Sequence, residues 1–369
     1  MTAKAILVAT RKGLFEYERA GSRWAVRRCS HVGIPVEYAM RDSRDGTLWA
    51  SLDHGHWGAK LARSRDGGEN WEEVALPQFP DGEKVYLPFS QAEDKTKPAT
   101  LENVWVIAPG GADQPGRIYL GTNPGALFVS NDGGDSFELL RGLWDQPSRK
   151  EAWFGGGRDT PGIHSIVVDP RDSRHVYVAV SCAGVFETKD DGTSWAPCNR
   201  GLIADFLPDK HAEVGQDPHF VTLCDAEPDV LWQQNHCGVF RSKDGAQSWD
   251  HISEEDGVVR FGFPIAAHPT DPLVAWVVPG VSDEKRVAVN GALCVCKTID
   301  GGKSWSPQRQ GLPQEHAYDV VYRHALDLSG DSNLVFGSTT GNLYISEDGG
   351  ERWSTISHNL PPVYSVRFL

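Results

Sequence analysis

The stretch SRDGGENW at residues 64–71 recurs five more times along the chain, as SNDGGDSF (130–137), TKDDGTSW (188–195), SKDGAQSW (242–249), TIDGGKSW (298–305) and SEDGGERW (346–353). The shared pattern is Ser or Thr, any residue, Asp, any residue, Gly, any two residues, then Trp or Phe, with Ala246 as the departure from Gly. Each position has a physical role. The Asp accepts hydrogen bonds from the backbone N–H groups of its own turn. The Gly supplies the positive φ of a tight hairpin. The aromatic residue three positions on packs between neighbouring sheets. Six copies in register mark one supersecondary unit repeated along the chain, with successive aspartates 66, 58, 54, 56 and 48 residues apart.

Between the boxes the chain alternates apolar and polar residues in short runs broken by turn formers, which reads as a meander of four strands per repeat. Residues 162–199 set the template: strand A at His164–Asp169, strand B at His175–Val180, strand C at Val185–Lys189, the Asp hairpin, and strand D from Trp195. At the N-terminus, Ala5–Ala9, Leu14–Glu18 and Arg23–Arg27 supply strands B, C and D of a further unit whose strand A is the last segment, Val363–Leu369. The expected fold is therefore all-β, a seven-bladed β-propeller of four-stranded antiparallel blades forming one domain over residues 1–369. A C-terminal strand A joins the N-terminal blade and hides sheet edges that would otherwise promote aggregation.

The boxes resemble the BNR/Asp-box repeat of sialidases and related glycoside-hydrolase-like propellers, a likeness that covers nearly the whole chain. A shared fold does not carry a reaction with it. Sialidases place an arginine triad around the substrate carboxylate, the first arginine in an Arg-Ile-Pro motif. Here Gly33-Ile34-Pro35 lacks that arginine, and Arg260 and Pro264 are displaced and interrupted. True sialidase activity is not expected. Xyloglucanase-like enzymes with such boxes resemble two propellers in tandem, whereas one ring is expected here. Photosystem-assembly propellers also resemble this repeat, and they act by protein binding.

Composition narrows the function classes. The 36 Lys and Arg against 50 Asp and Glu give a net charge of −14, without the basic footprint of a nucleic-acid binder. No window approaches 18 apolar residues, so no membrane span is expected. The short apolar run Ala5–Ala9 ahead of Arg11 and Lys12 does not read as a signal sequence. Seven cysteines without paired spacing point to reduced thiols and a cytoplasmic protein. Cys294 and Cys296 are read as facing opposite sides of their strand and not chelating together.

The boxes occupy the turns between strands C and D, so their aspartates are read as structural. The long connections at 72–101, 138–163 and 196–218 gather at the other end of the blades, joined by the excursion 279–291, and such loops on a rigid scaffold build binding sites. Aligned at the head of strand A, the blades present Glu37, Glu102, His164, His219, Phe263, Tyr318 and Tyr364; neighbouring turns add Arg11, His54, His56, Asn123, Cys182, His236 and Thr339. Two chemistries compete. In one, His164 and His219 bind a divalent metal (Zn, Mn or Fe) with Glu102 or His236, as mixed imidazole and carboxylate ligation allows. In the other no metal is present: a histidine is general base, Tyr318 or Tyr364 general acid, and Arg11 or Arg286 neutralises an anion. The expected function is a metal-dependent hydrolase or lyase acting on a small-molecule or carbohydrate-derived ligand. The alternatives are a metal-free glycosidase pairing Glu37 with Glu102, and a non-catalytic ligand- or protein-binding propeller.

Overall fold

Each Asp box is held together by its own side chains. In all six, the Ser or Thr hydroxyl donates to the Asp carboxylate at 2.7–2.9 Å. In five, the N–H of the Gly at the fifth position donates back to that hydroxyl at 2.8–2.9 Å. The carboxylates also accept backbone N–H groups four residues on, as from Asn70 to Asp66 and from Ser304 to Asp300. These bonds stabilise the charged form. Asp66 is thereby lowered to about 2, chiefly by the Asn70 N–H, and Asp300 to about 2, chiefly by the Ser304 hydroxyl.

The computed structural model describes every residue except 1–3, 22, 89, 91–93 and 255–256; residues 89 and 91–93 of the first long connection thus lie outside the described residues. The strands follow in chain order. The first blade holds β1 (Ala5–Thr10), β2 (Gly13–Ala20) and β3 (Arg23–Ser30). The second holds β4 (Val36–Arg41), β5 (Leu48–Asp53), β6 (Ala59–Ser64) and β7 (Glu72–Val74), followed by a small hairpin of β8 (Lys84–Tyr86) and β9 (Thr96–Pro98). The third holds β10 (Asn103–Pro109), β11 (Ile118–Asn123), β12 (Leu127–Ser130) and β13 (Glu138–Leu139). The fourth holds β14 (Ile163–Val168), β15 (Val176–Val180), β16 (Gly184–Thr188) and β17 (Ala196–Pro197). The fifth holds β18 (Pro218–Cys224), β19 (Glu227–Asn235), β20 (Gly238–Ser242) and β21 (Asp250–His251). The sixth holds β22 (Phe261–Ala267), β23 (Ala275–Gly280), β24 (Val295–Thr298) and β25 (Ser306–Gln308). The seventh holds β26 (Leu326–Ser329), β27 (Asn333–Gly337), β28 (Leu343–Ser346) and β29 (Ser354–Ser357), and β30 (Val363–Phe368) ends the chain.

Among the described residues these strands form seven four-stranded sheets, the first completed by β30 in the order β3-β2-β1-β30. The fold is a seven-bladed β-propeller. The β1–β30 ladder runs antiparallel from Ile6↔Phe368 to Thr10↔Val363. Strand β30 is tied on its other side too: Phe368 N–H donates to Asp327 at 2.8 Å, and the Arg367 guanidinium bonds the carbonyl of His324 at 2.9 Å and the hydroxyl of Tyr38 at 3.0 Å. Burial pushes the Asp327 carboxyl up, against the opposing pull of Arg367.

The chain divides into two compact units, one of Met1–Met40, Thr222–Gly245 and Trp249–Leu369, the other of Arg41–Val221 and Ala246–Ser248. The first packs Ile6, Val8, Trp276, Val295, Phe336, Tyr344, Trp353, Val363 and Val366 into one core. There the Trp276 indole N–H donates to the carbonyl of Gly349 in the last Asp box at 2.9 Å, linking two sheets. In the second unit a tryptophan again meets an Asp box, here by packing alone. The Trp49 ring lies where a side chain on Gly134 would stand, 2.2 Å from an added Cβ, so the box glycine is needed for close approach as well as for its φ of +87°. In the same unit the buried guanidinium of Arg149 lies 3.7 Å from the ring centre of Trp144 and 4.8 Å from that of Trp153. Burial lowers its pKa to about 9. This stack, together with the Arg149 bond to the Gly125 carbonyl at 2.6 Å, anchors the long connection between β13 and β14 to its own sheet.

Two local expectations change. Cys294 and Cys296 share a face, with sulfurs 3.8 Å apart, because positions i and i+2 of a strand point the same way. His324, which the alternation of apolar and polar residues places near a turn between the first two strands of its sheet and so at the surface, is instead buried with its ring 4.9 Å from that of Tyr38.

Candidate functional site

Bulges in the first strand of four sheets single out the residues that matter. Between Val104↔Thr122 and Val106↔Gly121 one extra residue, Trp105, has no partner across the ladder. His164 is the extra residue between Ile163↔Val180 and Ser165↔Ala179, and Tyr364 is the extra residue between Thr10↔Val363 and Ala9↔Ser365. In β22 the two residues Phe263 and Pro264 lie where β23 supplies only Val278. A bulge releases a side chain from strict alternation and re-aims it, which is why bulges gather beside functional sites.

In the second unit the bulged residues meet. The Trp105 and His164 rings stand edge to face at 5.4 Å, and the Arg158 guanidinium lies 5.1 Å from the Trp105 ring centre. His164 is fully buried, with Nδ1 3.0 Å from the Ser165 hydroxyl. That hydroxyl also accepts the N–H of Val221 at 3.2 Å, tying β14 to β18. Glu102, just ahead of β10, accepts from the Asn123 amide at 2.5 Å and from Lys97 at 3.2 Å. At the head of β18, His219 Nε2 stands 3.5 Å from a carboxylate oxygen of Asp217, and both side chains are nearly buried. The other Asp217 oxygen accepts the N–H of Cys182 at 3.0 Å. Cys182 holds a left-handed φ of 54°, an uncommon conformation for a side-chain-bearing residue.

In the first unit, His236 follows β19 with Nε2 3.8 Å from Asp283 and its ring 5.8 Å from Phe261. Phe261, Phe263, Tyr322 and Tyr364 form a run of rings with successive centroids 5.3, 6.2 and 6.1 Å apart. Arg286 lies 5.5 Å and Arg323 5.0 Å from the Phe263 ring centre. Glu37 sits half-buried in β4 and Arg11 is exposed in the β1–β2 turn. Tyr318 is 63% exposed. Strand β26 starts only at Leu326, so Tyr318 lies eight residues ahead of it and Tyr322 takes the place beside Tyr364.

The second unit thus pairs one of the metal candidates read from the sequence, His219, with a carboxylate, Asp217, at 3.5 Å. His164 and Glu102 are outside that pair.

No family model matches the chain. Over 291 residues it is 23% identical to the oligoxyloglucan-reducing end-specific xyloglucanase of Emericella nidulans, a match covering 68% of this chain and 33% of that protein. Over 293 residues it is 25% identical to a sialidase of Bacteroides fragilis, covering 70% of this chain and 50% of that protein. Of the solved structures, an ancestral GH74 enzyme superposes with a TM-score of 0.59 at 16% identity, over 90% of this chain and 38% of that one. YCF48 from Cyanidioschyzon merolae superposes with a TM-score of 0.58, also at 16% identity, over 94% and 97%. The chain is a sialidase-like, glycoside-hydrolase-like β-propeller. It spans a third to a half of the length of the curated relatives it matches.

Four residues of this propeller's candidate surfaces escape a reading of the sequence: Trp105, Asp217, Tyr322 and Arg323. The signal for Asp217 is present, since a carboxylate two positions ahead of His219 shares its face of an extended strand. The others have no such signal, because a bulge or a delayed strand start shifts the register that alternation assumes. No helix among the described residues is long and apolar enough to cross a membrane.

Proposed function

We propose that this propeller is a carbohydrate-directed hydrolase or lyase in which His219, oriented by Asp217, transfers the proton. The observation that carries the reading is the nearly buried imidazole–carboxylate pair at 3.5 Å, with the carboxylate itself fixed by the Cys182 N–H. A carboxylate facing Nε2 favours the tautomer with the proton on Nε2, which leaves the lone pair on Nδ1 to act as base. The Asp217 charge also stabilises the imidazolium formed on proton uptake, and the low-dielectric surroundings strengthen that effect. The relatives' names, xyloglucanase and sialidase, support a saccharide ligand.

A second reading is favoured by the same His219–Asp217 pair. An imidazole and a carboxylate suit Zn, Mn or Fe, and the pair would then supply two ligands to an ion that polarises substrate or water. Metal analysis of untagged protein separates the two readings. The test of the first is turnover of a panel of oligosaccharides, including xyloglucan and sialylated ones, by wild type, His219→Gln and Asp217→Asn. The acid–base reading expects a loss of at least a hundredfold in kcat for His219→Gln, a smaller loss for Asp217→Asn, and no effect of chelator. Chelator-sensitive turnover with stoichiometric metal supports the second reading. Full kcat in His219→Gln sinks both.

A further inference from the structure

Cys294 and Cys296 bring their sulfurs to 3.8 Å from each other within one compact unit. Residues two apart in an extended strand are separated by about 6.5–7 Å, so both side chains lean toward each other to close that gap. Cys296 is held from two sides, pairing with Val277 of β23 and with Pro307 of β25. Cys294 is in neither ladder, because β24 begins at Val295 and the rungs to β23 end at Val277↔Cys296. One sulfur is thus fixed in the sheet, and the other rides on the chain just ahead of it. Both residues are buried, Cys294 at 3% exposure and Cys296 at 0%, which keeps bulky reagents from either sulfur.

The two thiols are not equivalent. The hydrogen bond from Cys296 draws the Cys294 thiol down, against its burial and with help from the Arg309 charge. The same bond and burial push the Cys296 thiol up. Bonds from Arg309 to the Ala292 carbonyl at 3.5 Å and to the Gln314 side chain at 3.3 Å place that cation beside the Cys294 segment. Thiolate character, with a second thiol at hand to resolve the first oxidation product, directs cysteine oxidation to a disulfide. A disulfide requires Cα atoms within about 6.8 Å, the upper end of the strand spacing, so Cys294 has to move inward. Its neighbour Leu293 feels that movement. The Leu293 N–H donates to the Pro313 carbonyl at 2.9 Å, and its own carbonyl accepts from Gln314 at 2.9 Å. These bonds anchor the end of the excursion between β23 and β24.

We propose that Cys294 and Cys296 form an oxidation site, a dithiol that hydrogen peroxide converts to a disulfide and thiols restore, with the excursion between β23 and β24 loosened in the oxidised form. The Cys294 thiolate attacks one peroxide oxygen. The S–O bond forms as the O–O bond breaks, and the leaving hydroxide takes the proton Cys294 gave up and becomes water. The Cys296 sulfur then attacks the Cys294 sulfur. The S–S bond forms as the S–O bond breaks, and the hydroxyl leaves as water with the Cys296 proton. Each sulfur is oxidised by one electron and each peroxide oxygen reduced by one. This site does not depend on the carbohydrate-directed reading.

The experiment treats the folded full chain with hydrogen peroxide, alkylates the remaining thiols after denaturation, and weighs the tryptic peptide 287–297, which holds Cys294 and Cys296 and no other cysteine. The proposal expects that peptide two hydrogens lighter and unalkylated, and restored to two thiols by dithiothreitol. The disulfide should form about tenfold faster than any oxidation at the buried Cys198 and Cys224. In Cys296→Ala, Cys294 should stop at the sulfenic acid and be captured by dimedone; in Cys294→Ala, Cys296 should stay a thiol. Amide hydrogen exchange over residues 281–293 should quicken on oxidation and recover on reduction. The wild-type peptide decides the disulfide even where a variant does not fold. Two alkylated cysteines after peroxide, or Cys294 carried to a sulfinic or sulfonic acid beside a free Cys296, overturns the proposal. Dimedone capture at Cys296 in Cys294→Ala overturns the assigned roles, and unchanged exchange overturns the coupling to the excursion.

Discussion

The Ser242 hydroxyl donates to Asp244 at 2.8 Å, and the fourth Asp box depends on that carboxylate for the donors of its turn. Asp244→Ala leaves turn donors without their acceptor and is expected to cost about 1–3 kcal/mol, read as a lower denaturation midpoint at unchanged slope. Ligand affinity of the folded fraction should be unaffected, and a selective loss of affinity at normal stability would reassign the box to the site. The same turn carries the one non-glycine at the fifth box position, Ala246, at a φ of 61°. Ala246→Gly is expected to stabilise by up to about 1 kcal/mol, as relief of the left-handed conformation outweighs the added chain entropy. Gly302→Ala should do the reverse, because φ is +87° and an added Cβ would stand 2.5 Å from Ile252 Cδ1. At this scale the sequence is legible where chemistry is local. A box binds its own hydroxyl, carboxylate and N–H groups within eight residues. Asp217 was also within reach, two positions from His219, whereas Arg323 gains its meaning only from a ring sixty residues earlier in the chain.

At the scale of strands, alternation and turn residues locate the blade of residues 162–199 to within about a residue or two: the expected strand at 164–169 is Ile163–Val168, and that at 175–180 is Val176–Val180. What alternation cannot show is a bulge. It adds one residue without changing the apolar pattern around it, so Trp105 was passed over in favour of Glu102, three positions earlier. The seventh sheet fails for a related reason: Val320 and Val321 look like the core of a first strand, yet the ladder begins at Leu326↔Phe336. Strand β30 is the clearest element-scale test. Ending the chain at Pro362 removes the fully buried Val363 and Val366, at roughly 1.5–3 kcal/mol each. It also removes Arg367, the cation that opposes the burial of Asp327. The expected result is a fall in Tm of more than about 10 °C or loss of soluble protein, and an unchanged melting curve would exclude the closure.

For the whole molecule, the boxes set the acid limit of stability. Asp66 and Asp300 titrate near 2 in the folded chain, against about 3.9 for an unfolded aspartate. Between those values the unfolded chain binds more protons, so stability falls as pH falls. The contribution is complete above about pH 4 and lost toward pH 2. Asp132 and Asp190 are lowered in the same direction by their serine partners, so the fall is cumulative. Melting temperatures recorded from pH 6 to pH 2 should stay level and then drop steeply below about pH 4. A level curve down to pH 2.5 would show that the box carboxylates do not hold the fold.

The antiparallel pairing of β1 with β30 also decides how the molecule responds to tension. Ile6 pairs with Phe368, and the Leu369 N–H bonds the carbonyl of Ala5 at 3.1 Å, so residues 5 and 369 stand side by side at one end of the ladder. A force pulling them apart does not load the rungs together, as it would in a sheared pair of strands. It opens them one after another toward Thr10 and Val363, each together with whatever bond ties that stretch of β30 on its other side, as Phe368 to Asp327 and Arg367 to His324. The seam that completes the first blade is thus a zipper with both tabs at the same end. Freeing it releases only about 25 Å of chain, taken at 3.4 Å per residue, before the load reaches the rest of the fold.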